Sequence, residues 1–202
     1  AWKSILNRRL TAGLTLLSIA LSVTLLIGVE RVRVDARQSF ANTISGTDLI
    51  VGARSGAVQL LLYSVFRIGN ATNNISWQSY LDLQSHPSVA WSVPISLGDS
   101  HRGFRVMGTT RDYFTHYRFA KNRELVLFRG QPFDDLYDAV LGAEVAEALN
   151  YRLNDSIVIA HGAKDVSFAR HEDKPFRVVG VLKRTGTPVD RTVHVSLEAI
   201  EA

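Results

Sequence analysis

The chain has 202 residues, a net charge of +4 and no cysteine. Without cysteine there are no disulfides, no thiolate metal ligands and no cysteine nucleophile. The charge does not mark a nucleic-acid binder. Residues 1–37 hold six basic side chains and two acids, which accounts for the whole excess, while residues 38–202 hold 17 of each sign and no concentrated basic run.

In chain order, residues 2–9 read as a short amphipathic lead, with Trp2 at the level expected for a membrane interface. Residues 10–29 (LTAGLTLLSIALSVTLLIGV) carry no charge. As a helix they span roughly 30 Å, the thickness of a hydrocarbon core. A helix apolar on every side has no solvated face, and the residues that follow are too few to bury it. The run exceeds the usual signal-peptide core and leads into Glu30-Arg31-Val32-Arg33 rather than a small-residue cleavage site, so we read a retained anchor. Lys3, Arg8 and Arg9 precede it, and Arg31, Arg33 and Arg37 follow. Three against three is nearly a tie under the positive-inside rule. Ser18 and Ser22, with Gly13, Thr15 and Gly28, offer a small-residue seam that either packs against another helix or is ordinary membrane-helix composition.

Residues 30–43 continue the helical period as a stalk, and Gly46 ends it. We expect a strand at 48–53, a helix at 57–66, a polar turn at 70–74 and a helix at 77–86 stopped by Pro87. Strands at 89–97 and 104–109 flank a turn at Gly98-Asp99-Ser100, and 112–117 is a short helix. Residues 139–142 lead into a helix at 143–149. Asn150 and Asn154 sit at turns where a left-handed residue is tolerated. Strands follow at 156–160, 176–182 and 191–195, with a turn at 185–188, and Ser196 caps a last helix. Short strands and helices without strict alternation predict an α+β fold. The expected organisation is a lead, membrane helix and stalk over 1–45 and an extracytoplasmic core over 46–202, with a candidate subdomain boundary near 120–138.

Six histidines (His86, His101, His116, His161, His171, His194) invite a metal reading, densest at His161, Asp165, His171, Glu172 and Asp173. No pair has the H-x-x-x-H spacing, and a polar loop explains the cluster equally well. There is no Gly-x-Ser-x-Gly elbow, and the pairs Asp134-Asp135 and Glu172-Asp173 read as solvated loop charge. The phosphate-loop motif is absent too, since Gly52-Ala-Arg-Ser-Gly56 lacks its lysine. We therefore expect no catalytic, cofactor-binding or metal-ligating residue, and no cofactor. Leu60-Leu61-Leu62 and Tyr63 to Phe66 form either an interaction surface or part of the domain's own core. Arg102, Arg105 and Arg111 are either the rim of a partner site or a solvated face.

Several phrases together resemble one family. They are GTDLIVGAR at 46–54, QLLLYSVFRI at 59–68 with Asn74-Ile75, VLGAEVAEAL at 140–149, LNDSIVI at 153–159, FRVVGVL at 176–182 and TGTPVDR at 185–191. In this order after a first membrane helix, they resemble the MacB-type ABC transporter permeases, which include FtsX-like and lipoprotein-releasing members. Asn150 and Asn154 stand where that family often has glycine. The resemblance implies a non-catalytic permease subunit with four membrane helices and a large periplasmic domain between the first two, of which this chain would be the first helix and that domain. It implies a homodimer in the bacterial inner membrane, working with a cytoplasmic ABC ATPase subunit. ATP hydrolysis there would move the periplasmic domain against a lipoprotein, peptide or other substrate, with a periplasmic adaptor as a further candidate partner. The reading from a different class is a single-pass membrane-anchored sensor or adaptor binding an extracytoplasmic ligand.

Overall fold

A computed structural model of the chain describes residues 9–69, 73–161 and 175–201. The amphipathic lead before residue 9, residues 70–72 of the 70–74 turn, and Asp165, His171, Glu172 and Asp173 lie outside them. The chain divides into two compact units between Ala41 and Asn42.

The first unit is built on α1 (Arg9–Thr43), a single helix of 35 residues. Its stretch Arg9–Asp35 is long and apolar enough to cross a membrane, and none of it is buried within the protein. Three hydroxyls in that stretch bond to carbonyls one turn back: Thr15 to Thr11 at 2.9 Å, Ser22 to Ser18 at 2.8 Å and Thr24 to Ala20 at 2.8 Å. Such back-bonding satisfies a hydroxyl that has no water to turn to. Past the apolar stretch the helix runs on through the expected stalk.

The second unit begins with α2 (Ala57–Ser64) and α3 (Trp77–Gln84). The hairpin of β1 (Ile95–His101) and β2 (Phe104–Thr109) leads to α4 (Asp112–His116). A small hairpin, β3 (Arg118–Phe119) and β4 (Arg123–Glu124), precedes β5 (Leu127–Gly130) and β6 (Asp138–Leu141). Then come α5 (Ala143–Ala148), β7 (Ser156–Ile157), β8 (Ala160–His161) and β9 (Phe176–Leu182). A 3₁₀ turn at Pro188–Arg191, β10 (Thr192–Ser196) and α6 (Leu197–Glu201) complete the unit.

One mixed sheet runs β5-β9-β6-β10-β2-β1-β8, with β7 also paired to β9. Strands from either side of residues 120–138 share it. β6 runs parallel to β9, and β10 parallel to β2. Every residue of β6 and β10 is buried. The two-residue period of a strand sorts their side chains. Ala139, Leu141, Val193 and Val195 join Val145 of α5 in one hydrophobic cluster. Val140 packs with Phe133, Val179, Leu182 and Val189 in a second. This is the α+β fold expected from the sequence.

The expected strands at 104–109 and 176–182, the helix at 143–149 and the Ser196 cap are present, the last with the Ala199 N–H on the Ser196 hydroxyl at 3.1 Å. Asn150 and Asn154 both take positive φ, 54° and 72°.

Several expectations are corrected. Of the strand expected at 89–97 only 95–97 is strand, and the strand expected at 156–160 is split into β7 and β8. Residues 48–53 form no strand. Leu49 and Val51 are exposed, and the segment turns where Gly52 lies against Leu60 of α2, so closely that a Cβ would meet the Leu60 side chain at 2.4 Å. Nor do Gly98-Asp99-Ser100 turn. Strand β1 runs through them, absorbing the irregularity as a register shift between Leu97 and Ser100. The turn is Arg102-Gly103, both at positive φ between the paired His101 and Phe104, as a two-residue hairpin requires.

A buried carboxylate fixes the entry to β6. Asp138 accepts from the Asp134 and Asp135 N–H groups at 3.2 and 3.0 Å and from Arg177 at 2.9 Å. Burial alone would raise its pKa, but these bonds and the Arg177 charge outweigh it and hold the carboxyl below the usual range.

Candidate functional site

The last carbonyls of a helix have no intrahelical partner. Thr43, the final residue of α1, belongs to the second unit and is buried. The Tyr117 hydroxyl donates to the Thr43 carbonyl across 74 residues of sequence. Two residues on, the Ser45 N–H donates to the Arg118 carbonyl at 2.9 Å, an isolated antiparallel bridge. Gly46 turns the chain at φ +65°, beside the Asn122 side chain. Thr43 and Ser45 are thus tied to the α4–β3 corner within the second unit.

Tyr117 is the C-terminal cap of α4, and its hydroxyl is kept protonated. Burial raises its pKa, and the nearby Asp190 charge adds to that, against the Arg67 charge and a hydrogen bond with Thr187. It therefore remains a hydrogen-bond donor at neutral pH.

From Tyr117 a line of rings runs inward. Tyr117 and Tyr113 lie 4.9 Å apart between centroids, and Tyr113 and His194 5.4 Å apart. Phe114 reaches both His194 and Phe133. His194 stands on β10 at the centre of the sheet, where its Nδ1–H donates to the Val140 carbonyl at 3.2 Å. Arg67, itself at φ +60°, donates to the Ser64 carbonyl and contacts the Met107 sulfur at 2.9 Å. Its charge lowers the pKa of both tyrosines and of His194.

The TGTPVDR phrase folds beside this joint. Buried Asp190 accepts from the Thr185 N–H at 2.8 Å, the Thr185 hydroxyl at 2.9 Å and the Gly186 N–H at 2.7 Å. Removing that carboxylate strands two backbone donors. Asp190→Ala should lower stability by about 2 kcal/mol, and Asp190→Asn by less, as read from urea unfolding.

The other sequence candidates scatter. The Arg102 guanidinium lies over Tyr151, Arg105 donates to the Gly69 carbonyl at 2.6 Å and Arg111 pairs with Asp134, so the three do not build one site. In the 60–66 run, Val65 is buried, Leu62 is exposed and Tyr63 donates to the Leu97 carbonyl. His101 donates from Nδ1 to the Val158 carbonyl at 2.6 Å and accepts from Tyr151 at 2.9 Å, a structural arrangement. His161 lies on β8, and among the described residues no three His, Asp or Glu side chains gather as metal ligands. Sequence reading passed over Tyr113, Tyr117 and Arg67. The aromatic spacing at 113, 114 and 117, one face of a helical turn, was the available signal.

A membrane-length helix followed by a mixed α+β domain defines the class: a helix-led α+β domain. The chain belongs to the family of the MacB-like periplasmic core domain, whose model matches residues 12–202. The resemblance read from the phrases is borne out, and the match takes in most of the apolar helix. No curated protein matches the chain significantly. Among solved structures it is similar to a domain assigned to a permease protein of Porphyromonas gingivalis, at 9% identity and a TM-score of 0.38. That likeness covers 59% of this chain and 51% of the other, so the chain spans about half of that relative's length.

Proposed function

We propose that the chain is the first membrane helix and periplasmic domain of a permease subunit in an ABC-type export or mechanotransmission system. A cytoplasmic ATPase subunit hydrolyses ATP, and motion of this domain acts on a lipoprotein, peptide or other extracytoplasmic substrate. The subunit itself is non-catalytic, sits in the bacterial inner membrane and works as a homodimer, with a periplasmic adaptor as a further partner. The observation that carries this reading is the membrane-length apolar stretch of a helix that runs on from Arg9 to Thr43 ahead of an α+β unit. Within the second unit, the Tyr117 hydroxyl and the Ser45–Arg118 bridge hold Thr43 and Ser45 to the core.

The test is made on the full-length protein in membranes, co-purified with the ATPase encoded beside it. The expected result is a stable complex with membrane-dependent ATP hydrolysis. Tyr117→Phe removes the hydroxyl alone. It should leave the complex and its basal hydrolysis intact while lowering the substrate-stimulated rate about fivefold, the worth of one hydrogen bond. Failure to bind any ATPase, in a chain with a single span, would sink the transporter reading and leave the anchored sensor or adaptor in front.

A further inference from the structure

A groove of about 450 Å³ lies between α5 and the β5 end of the sheet, away from the Tyr117 corner in sequence and in lining. Small side chains make the room, since Ala143 and Ala146 of α5 leave its floor low. Its charge is one-sided. Arg129, Arg152, Lys183 and Arg184 line it, and among the described residues Glu147, paired with Arg184, is the one acid in its lining. Because residues 38–202 carry equal numbers of basic and acidic side chains, this is a local concentration and not the tone of the whole domain.

Two features say what shape of anion the groove suits. All four cations are exposed and distributed along the walls, so there is no closed, desolvated cradle of the kind that holds a small anion. And β5 is the end strand of the sheet. It contributes Phe128, 61% exposed, and Arg129, whose guanidinium lies 5.0 Å from the Phe128 ring centroid. An end strand has no strand neighbour on its outer side, and an extended chain can pair there through its backbone while alternate side chains reach to one face. Among the described residues no strand pairs with the outer edge of β5, and a large exposed aromatic beside such an edge is costly to leave in water unless something covers it.

We propose that this groove takes an extended acidic segment of a partner polypeptide, laid along β5 with alternate carboxylates on Arg129, Arg152 and Lys183 and an apolar side chain against Phe128. The proposal stands on the groove and does not depend on the transport reading.

The test uses the full chain in detergent micelles and a fluorescein-labelled octapeptide of alternating glutamate and valine, followed by fluorescence anisotropy. Saturable binding that weakens as salt is raised is expected. Arg152→Glu with Lys183→Glu should weaken it at least about tenfold, since attraction becomes repulsion at two points. Phe128→Ala should weaken it severalfold, and Arg123→Glu, on exposed β4 outside the groove, should change it less than about twofold. Should the reversals perturb folding, the Gln versions of Arg152 and Lys183 remove the attraction without adding repulsion and should weaken binding severalfold. Equal losses for Arg123→Glu and the groove pair would reduce the effect to general charge and overturn the proposal. Displacement of the peptide by millimolar inorganic phosphate would make the groove a small-anion site instead. Binding to phosphatidylglycerol vesicles without binding to the peptide would assign it to a membrane surface, and the proposal would fall.

Discussion

Gly142→Ala should destabilise the domain by about 3 kcal/mol, whereas Gly56→Ala should change it by less than about 0.5 kcal/mol. The two glycines are matched. Each precedes a helix, and their backbones are nearly the same, φ −63° and ψ 153° at Gly142 against φ −64° and ψ 142° at Gly56. Neither conformation demands glycine. The surroundings differ: a Cβ at Gly142 would meet the Val189 carbonyl oxygen at 2.2 Å and the Asp190 carbonyl oxygen at 2.5 Å, while at Gly56 it would meet nothing within 4 Å. The clash at 142 is with backbone, which no rotamer change relieves. It falls where the start of α5 meets the 3₁₀ turn, and where the Gly142 N–H is held to the Thr192 carbonyl at 2.9 Å. Relief would have to push α5 from the sheet or move the turn that carries Asp190. Urea midpoints of the full chain in detergent, read by near-ultraviolet circular dichroism, check this. Similar midpoints for the two variants would mean that the α5 contact yields easily.

The same crowding explains which parts of the fold were legible. The FRVVGVL strand could be read because, past the exposed Arg177, Val178 to Leu182 are all buried and form an unbroken apolar run. The helix at 143–149 followed from propensity, and its Asn150 stop from tolerance of positive φ. Residues 48–53 have an equally strand-like run, yet a strand exists only where a neighbour pairs with it, and pairing is not written locally. Gly98-Asp99-Ser100 misled in the opposite sense. Turn-like composition lies within β1, where Asp99 and Ser100 are buried and paired with His161 and Ala160 of β8. Strand β5 was missed because an end strand keeps polar and exposed residues such as Arg129 and Phe128, which look like loop. The joint was hidden for a stronger reason. Thr43 and Tyr117 are ordinary residues whose importance arises only when the fold brings them together. The groove likewise collects its cations from β5, the 150–152 turn and the end of β9, so no basic run appears in the sequence.

The second large effect is acid destabilisation through His194. Its ring is fully buried between Tyr113 and Phe114. Burial lowers its pKa most, the Arg67 charge lowers it further, and the bond to the Val140 carbonyl opposes them only in part, leaving it at about 3. The unfolded chain takes up a proton near pH 6.5, while the folded chain refuses it down to about 3. The unfolded state therefore binds more protons throughout that window, and stability falls as pH falls, by up to about 1.4 kcal/mol per pH unit. Between pH 6.5 and 4.5 this is about 2 to 3 kcal/mol. Asp138, held below the usual carboxylate range, adds its own loss only below the ordinary carboxylate value of 3.8, so between pH 6.5 and 4.5 it contributes little. His101 is also shifted down, by burial first and the Arg102 charge last, against its bond to Val158, and acts in the same direction as His194. His194→Phe keeps a flat ring in the stack. Its stability should fall less steeply between pH 6.5 and 4.5, by close to one proton's worth, whatever its absolute stability. Should that variant fold poorly, the His194 ring resonances of the unaltered chain serve as the readout, and they should not titrate above pH 5. Titration near 6.5 would mean that water reaches the ring, and that the aromatic line from Thr43 to the centre of the sheet is open rather than packed.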